Sequence, residues 1–272
     1  MSRRVSQLLS GVVVLGTAYA RPWRRAHLRL LVSELLHQRH RVETGHGPLT
    51  FVSTHARALE APRNFHVAEP ETLDWIDGFA PGSVFWDIGA NVGVYSLYAG
   101  KRDDTEVVAF EPSPNSYAAL CANIAENHLN RVHAFCIALS ERSGLGTLNM
   151  SRTYPGSVYN AFEQEVDMTG NPLSIERKQS AVGISADDLI EIFGAARPNH
   201  IKLDVDSTEV AILRGAERLL RSASLLSLAI ENAIEDTPQN HAIASLLLTA
   251  GFHACRRGRG GGPLTVTVIY RR

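Results

Sequence analysis

Cysteine is scarce in this 272-residue chain, and Cys121, Cys136 and Cys255 show no paired spacing. A disulfide framework is therefore excluded. All three fall in stretches read as helix or strand, so buried free thiols are expected, which suits a reducing cytoplasm. Long apolar runs are also missing: the N-terminal run at 8–15 is too short to cross a bilayer. Neither sign of charge is in excess, with 27 basic and 28 acidic side chains, so composition gives no argument for a nucleic-acid partner. What remains is ordinary globular material, 44% hydrophobic and 20% charged, long enough for one sizeable α/β domain with appendages.

The chain is organised around residues 84–93, Val-Phe-Trp-Asp-Ile-Gly-Ala-Asn-Val-Gly. A short apolar run after Pro81-Gly82 reads as a strand buried on both faces. Val94, Leu97 and Tyr98 then fall at helical spacing, so the chain passes from strand to helix across Gly89 and Gly93. Lacking a Cβ, these glycines permit a tight turn and close approach of a ligand to the helix N-terminus. A dinucleotide fingerprint needs a further glycine where this chain has Asn91, which argues against a nicotinamide oxidoreductase. Asp87, near the strand end, suits an ammonium group better than a pyrophosphate. One strand later, 106–112 ends in Glu111, placed to accept both hydroxyls of a ribose. Together the two acids bracket an adenosyl amino acid.

Asp-Ile-Gly-Ala-Asn-Val-Gly at 87–93, Ala-Phe-Glu-Pro-Ser-Pro-Asn at 109–115, Asn-Ile-Ala-Glu-Asn at 123–127 and His-Ile-Lys-Leu-Asp-Val-Asp at 200–206 closely resemble the FkbM-type family of S-adenosylmethionine-dependent methyltransferases. The resemblance runs from about Gly47 to the C-terminus. It implies a Rossmann-like class I methyltransferase fold: a mostly parallel seven-stranded sheet, helices on both faces and an antiparallel C-terminal hairpin. It also implies methyl transfer from S-adenosylmethionine, usually to a hydroxyl of a sugar, lipid-linked glycan or polyketide. Asp87, Gly89, Ala90, Asn91 and Gly93 are then expected to hold the amino-acid end of the cofactor and Glu111 its ribose. A catalytically inactive binding protein is the non-enzymatic alternative.

Along the chain, residues 1–20 superficially resemble a signal peptide, but Arg21, Arg24, Arg25 and Arg29 oppose translocation just beyond the cleavage-like Ala-Tyr-Ala. Residues 1–44 are read instead as a basic amphipathic arm, with Leu28, Leu31, Val32, Leu35 and Leu36 on one stripe. That stripe either docks on its own domain or meets an anionic membrane surface. The expected location is cytoplasmic, with membrane association open. His37 and His40 lack a second ligand pair, so no metal is expected there.

Residues 45–272 form the methyltransferase domain. A helix begins at Glu69-Pro70, and the later alternation of strand and helix indicates a doubly wound sheet. A second helix at 115–129 carries Ala118, Ala119, Ala122 and Ile124 on its apolar side, and a third strand at 132–139 brings Ala138 to the adenine. Residues 149–184 break the rhythm and read as a lid or acceptor loop carrying Tyr159 and Asn160. Asn149-Met150-Ser151 matches a glycosylation sequon that a cytoplasmic protein would not use. Ser185 or Asp187 caps the helix that follows.

In open α/β sheets ligands lie beyond the carboxyl ends of the strands, which points to Asp204 as the group that receives the acceptor proton. Lys202, two residues earlier on the same face, would keep that carboxylate ionised or orient the acceptor. Asp206 with Glu209 reads as a capping box, although Asp206 and Glu231 also border the acceptor. Ser207 stands where the family usually has glycine, a cost if the position needs positive φ. A cation held by Asp204, Asp206 and Glu231 is not expected, and no metal is assigned. A glycine-rich turn at 256–262 closes the hairpin, and its arginines are weak grounds for a nucleic-acid contact.

Overall fold

The computed structural model describes residues 2–36, 38–53 and 55–272; His37 and the side chains of residues 2–4 lie outside the described residues. Two compact units form, Met1–Arg39 and His40–Arg272. The first holds α1 (Ser2–Gly16) and α2 (Pro22–Leu35). Between α1 and α2, Arg29 Nε donates to Thr17 Oγ1 at 3.0 Å and Arg25 Nε to the Ala20 carbonyl at 2.6 Å. No described helix is long and apolar enough to cross a membrane.

A two-stranded ribbon, β1 (Gln38–Val42) with β2 (Leu49–Ser53), leads to a short helical stretch ending in α3 (Glu60–Arg63) and then to α4 (Pro70–Asp77). Proline at its start presets φ and forfeits no helical hydrogen bond. The α/β alternation follows: β3 (Val84–Ile88), α5 (Val94–Gly100), β4 (Glu106–Phe110), α6 (Pro114–Glu126) and β5 (Val132–Phe135). Next come β6 (Ala138–Leu139), β7 (Gly144–Met150), β8 (Asn160–Phe162) and β9 (Arg177–Ile184). The last third contains α7 (Ala186–Glu191), β10 (His200–Leu203), α8 (Glu209–Arg214), α9 (Glu217–Arg221), β11 (Ser227–Ala233), α10 (Pro238–Thr249), β12 (His253–Arg259) and β13 (Thr265–Arg271).

Seven strands make the main sheet in the order β5-β4-β3-β10-β11-β13-β12. Pairing is parallel from β5 to β11, while β13 runs antiparallel to both β11 and β12. The sheet is thus mostly parallel with an antiparallel C-terminal hairpin, as the resemblance implies. Side chains alternate between two cores. Phe85, Val107, Ala109 and Ala229 pack with Trp75, Ile76, Leu97 and Leu120 of α4, α5 and α6 on one face. Trp86, Ile88, Leu203 and Leu228 pack with Leu189, Ile212, Leu219 and Leu247 of α7 to α10 on the other. The strand order reverses where β3 lies between β4 and β10, so their carboxyl ends flank the crevice that such sheets use for ligands.

Several local expectations are corrected. Residues 132–139 are two strands, because the chain leaves the main sheet after Phe135 and Ala138–Leu139 pairs with β9 in a second, four-stranded sheet ordered β6-β9-β7-β8. Much of 149–184 therefore has regular structure. Its β9 pairs with β7 from Gly144↔Gly183 to Met150↔Arg177, a ladder in which the buried positions of β7 run together at 148–150 instead of alternating. On α6 the buried positions are Ser116, Leu120 and Asn123, while Ala118 and Ala122 are exposed. Asn123 turns inward because its amide bonds the backbone of both Val52 and Val92 at 2.8 Å. Cys136 and Cys255 are exposed and Cys121 is half-buried, so the thiols are free but not sequestered. The arginine tract belongs to strand β12, not to the turn. There Arg256 pairs with Asp74 at 2.9 Å. Asn149 is buried and donates to the Gln164 carbonyl at 2.7 Å, out of reach of glycosylation.

Candidate active site

The turn after β3 is shaped by backbone geometry. Gly89 and Gly93 have φ of 85° and 91°, and Asn91, at 50°, is one of the few non-glycine residues with positive φ. At Gly89 a Cβ would lie 1.9 Å from the Asp204 carbonyl oxygen, so only glycine lets the turn reach the end of β10. The Gly89 and Ala90 amides donate to the Phe110 carbonyl at 2.9 and 3.0 Å. Glu111 completes this junction, accepting from the Asn91 and Ser113 amides at 2.9 and 2.8 Å. Burial pushes its pKa up to about 7 although both amides favour the charged form. Asn91 Nδ2 reaches the Ser157 carbonyl at 3.2 Å, while its Oδ1 is buried without a donor.

Asp87 points to the face covered by α5, where Ser96 Oγ donates to it at 2.5 Å. Burial raises its pKa to about 6, against the lowering field of Lys202. Parallel pairing puts Lys202 beside Asp87, so the two share a face. Lys202 is 2% exposed, with Nζ 2.5 Å from Asp204 Oδ2, 3.6 Å from Glu69 Oε1 and 4.6 Å from the Tyr95 ring centre. Burial opposes its charge, but Asp204 and Glu69 outweigh burial and hold the pKa above the ordinary lysine range. Glu231 lies on the same face and accepts from Thr265 Oγ1 and the Gly261 amide at 2.7 and 2.6 Å. Burial, helped by Asp204, lifts its pKa to about 9.

Sequence reasoning placed Asp87, Lys202, Asp204 and Glu231, and the structure gathers them. It missed Glu69 as a member of this group. That residue is buried, accepts from Thr72 Oγ1 and Thr267 Oγ1 at 2.7 and 3.0 Å, and turns its other oxygen to Lys202. Its only sequence signal is an acid before Pro70, which reads as a helix start. Ligand oxygens of Glu69, Asp204 and Glu231 lie within 4.8 Å of one another. Asp206 is elsewhere: its carboxylate accepts from the amides of Tyr159 and Asn160 where the chain enters β8 of the second sheet. Burial, then Asp204, raises its pKa to about 7.

The Asp206–Glu209 capping box does not form. Thr208 occupies the N-cap without a side-chain bond, and Glu209 is buried against Gln239 Nε2 at 2.6 Å. Ser207 has φ of 103° and a buried hydroxyl without a partner. Ser185 caps α7 through the Asp188 amide at 3.1 Å. Asp187 instead caps α9, accepting from the Arg218 and Leu219 amides, both at 2.9 Å. A cleft beside the turn is lined by Gly89, Phe110, Ala138, Asn160, Phe162 and Val205, bringing Ala138 and Asn160 to the same opening.

A model of the methyltransferase FkbM domain matches residues 87–254, from the acid of β3 into the C-terminal hairpin. This chain belongs to the FkbM methyltransferase family. It is 26% identical over 152 residues to the hexuronic acid methyltransferase AglP of Haloferax volcanii, covering 56% of this chain and 57% of that protein. It is 28% identical over 159 residues to the 31-O-demethyl-FK506 methyltransferase FkbM of Streptomyces tacrolimicus, covering 50% and 60%. The methyltransferase sdnD of Sordaria araneosa is 29% identical over 153 residues, covering 48% and 59%. This chain thus spans about three fifths of the length of these relatives. Among solved structures, TYW2 of P. horikoshii in complex with MeSAdo has a TM-score of 0.48 at 14% identity over 92% of this chain and 85% of that one.

Proposed function

We propose that this chain is an S-adenosylmethionine-dependent methyltransferase acting on a hydroxyl of a sugar, glycolipid or secondary metabolite. The observation that carries this reading is the join between turn and strand, where Gly89 abuts the Asp204 carbonyl. It sets the donor cradle next to the carboxylate that would receive a proton. The cradle suits the cofactor's chemistry: Asp87 and Glu111 are buried acids with raised pKa values, and Asn91 Oδ1 is a buried acceptor without a donor. Such groups favour a ligand bringing an ammonium and hydroxyls. Asp87, Gly89, Ala90, Asn91 and Gly93 would hold the amino-acid end, Glu111 the ribose and Ala138 the adenine.

When bound, S-adenosylmethionine supplies a methyl group made electrophilic by its sulfonium. The chain's task is then to hold an acceptor oxygen in line and remove its proton. Asp204 is assigned the proton. Lys202 is assigned a positioning role, fixing that carboxylate through Oδ2. Asp206, Tyr159, Asn160 and Glu231 are assigned to the acceptor side. The ammonium of Lys202 already stands between Asp204 and Glu69, so no divalent metal enters the proposal. The names of the AglP and FkbM relatives, a hexuronic acid methyltransferase and a 31-O-demethyl-FK506 methyltransferase, support oxygen as the target.

Calorimetric titration with S-adenosylmethionine and with NAD tests the cradle, and transfer of labelled methyl to hydroxylated glycans and lipids tests the reaction. Asp204→Ala should bind the cofactor nearly as well as the unaltered chain and lose turnover. Binding of NAD alone, or retained turnover in Asp204→Ala, would overturn the assignment.

A further inference from the structure

Basic charge in this protein is concentrated at one end. Residues 1–39 contain seven arginines and one glutamate, leaving the remaining residues with 20 basic and 27 acidic side chains. The same segment exposes most of its apolar surface. On α1, Val5, Leu8, Leu9, Val12 and Leu15 recur at three- and four-residue intervals along one face and are 48%, 71%, 62%, 65% and 70% exposed. Ser6, Gln7 and Ser10 fall on the opposite side. On α2 no residue is buried; Trp23, Leu30 and Leu35 are exposed, as is Leu36 just past its end. Isolated exposed leucines are unremarkable, but two consecutive helices with this surface require something to cover it.

The corner between the helices says what. Tyr19 is fully exposed, Trp23 is 65% exposed, and the Arg24 guanidinium sits 5.1 Å above the Trp23 ring. Arg21 and Arg24 are exposed beside them. Aromatic rings amid arginines, between two apolar helix faces, match the layering of a lipid headgroup region: hydrocarbon below, amphipathic rings at the boundary, anions above. A second copy of the chain would bring arginines against arginines. Nucleic acid would satisfy the guanidinium groups but leave the leucine face in water.

We infer that residues 1–39 are a peripheral anchor that lies in the surface of an anionic lipid bilayer, with α1 immersed by its apolar face. The contact is independent of the proposed methyl transfer. Two terms act together, apolar burial and attraction of arginines to anionic headgroups, and the second weakens with salt.

The test is sedimentation of the full chain with vesicles of phosphatidylcholine, with and without phosphatidylglycerol. Binding to the anionic vesicles should be at least about tenfold tighter, and should fall by about as much in molar salt. Leu8→Glu with Val12→Glu, and separately Arg21→Glu with Arg24→Glu, should each abolish sedimentation while leaving the melting temperature of the domain unchanged. Equal partition onto both vesicles, absence of binding to anionic vesicles, or retention by either double variant would overturn the inference. A lipid-free dimer that Leu8→Glu with Val12→Glu returns to monomer would show that a second copy covers the face, and would overturn it equally.

Discussion

Lys202 Nζ lies 2.5 Å from the carboxylate of Asp204, two residues on and just past the end of β10, with Lys202 itself 2% exposed. A buried ion pair of this kind is held by its surroundings, and removing one member leaves the other charge uncompensated. Lys202→Met should therefore destabilise the domain by about 3 kcal/mol and abolish methyl transfer. Chemical denaturation checks the first effect and labelled-methyl transfer the second. Glu69→Gln should restore part of the stability lost in Lys202→Met, because it removes one of the acids left unpaired.

The cradle should respond to pH. Asp87 and Glu111 are raised to about 6 and about 7 by burial. A ligand carrying an ammonium prefers both ionised, so S-adenosylmethionine should bind roughly tenfold more tightly at pH 8 than at pH 5.5. Calorimetry in buffers of different ionisation enthalpy should register proton release, and Glu111→Gln should reduce it. For the ligand-free protein the sign reverses. Raised carboxyl pKa values mean the folded state holds more protons, so these groups cost stability as pH climbs from their unfolded values through 6 to 7.

Ser207 has φ of 103° and a buried hydroxyl without a partner. Ser207→Gly relieves both the left-handed backbone and the unpaired hydroxyl, and should stabilise the domain by about 1 kcal/mol. Thermal melting should show a rise of roughly 2–4 °C.

Asp206 fastens the second sheet by accepting from the amides of Tyr159 and Asn160. Hydrogen bonds to a charged group contribute about 1.5–3 kcal/mol. In Asp206→Ala, amide hydrogen exchange at 159 and 160 should accelerate at least about tenfold, whereas β3 and β10 keep their protection.

The parts of the site legible in the sequence are those written by neighbours along the chain. Asp87, Gly89 and Gly93 declare a strand, a turn and a helix within ten residues, and Lys202 and Asp204 declare a shared face by their spacing. The runs at 84–88 and 106–110 are nearly continuous in apolar residues because both faces of those strands are buried. Glu69 was not legible, since its partners Lys202 and Thr267 are contributed by distant strands. Nor was the β7–β9 ladder, whose register pairs residues as far apart as Gly144 and Gly183 and whose buried positions on β7 do not alternate. Asp206 and Glu209 matched a local capping pattern that lost to longer-range partners: two amides of the second sheet for Asp206, and Gln239 for Glu209.

In the proposed reaction, the grouping of Glu69, Asp204 and Glu231 near the Lys202 ammonium would also act as a filter on what can react. Burial raises the pKa of Glu231 to about 9, and Glu69 and Asp204 both face the Lys202 ammonium. An acceptor that brought a carboxylate or phosphate into this corner would meet three acids and an ammonium already engaged by Glu69 and Asp204, so an acidic sugar would have to turn its carboxylate away. A neutral polyol would pass, and an amino sugar would be drawn in. The pocket would therefore discriminate by the sign of the incoming molecule before any detail of its shape came into play.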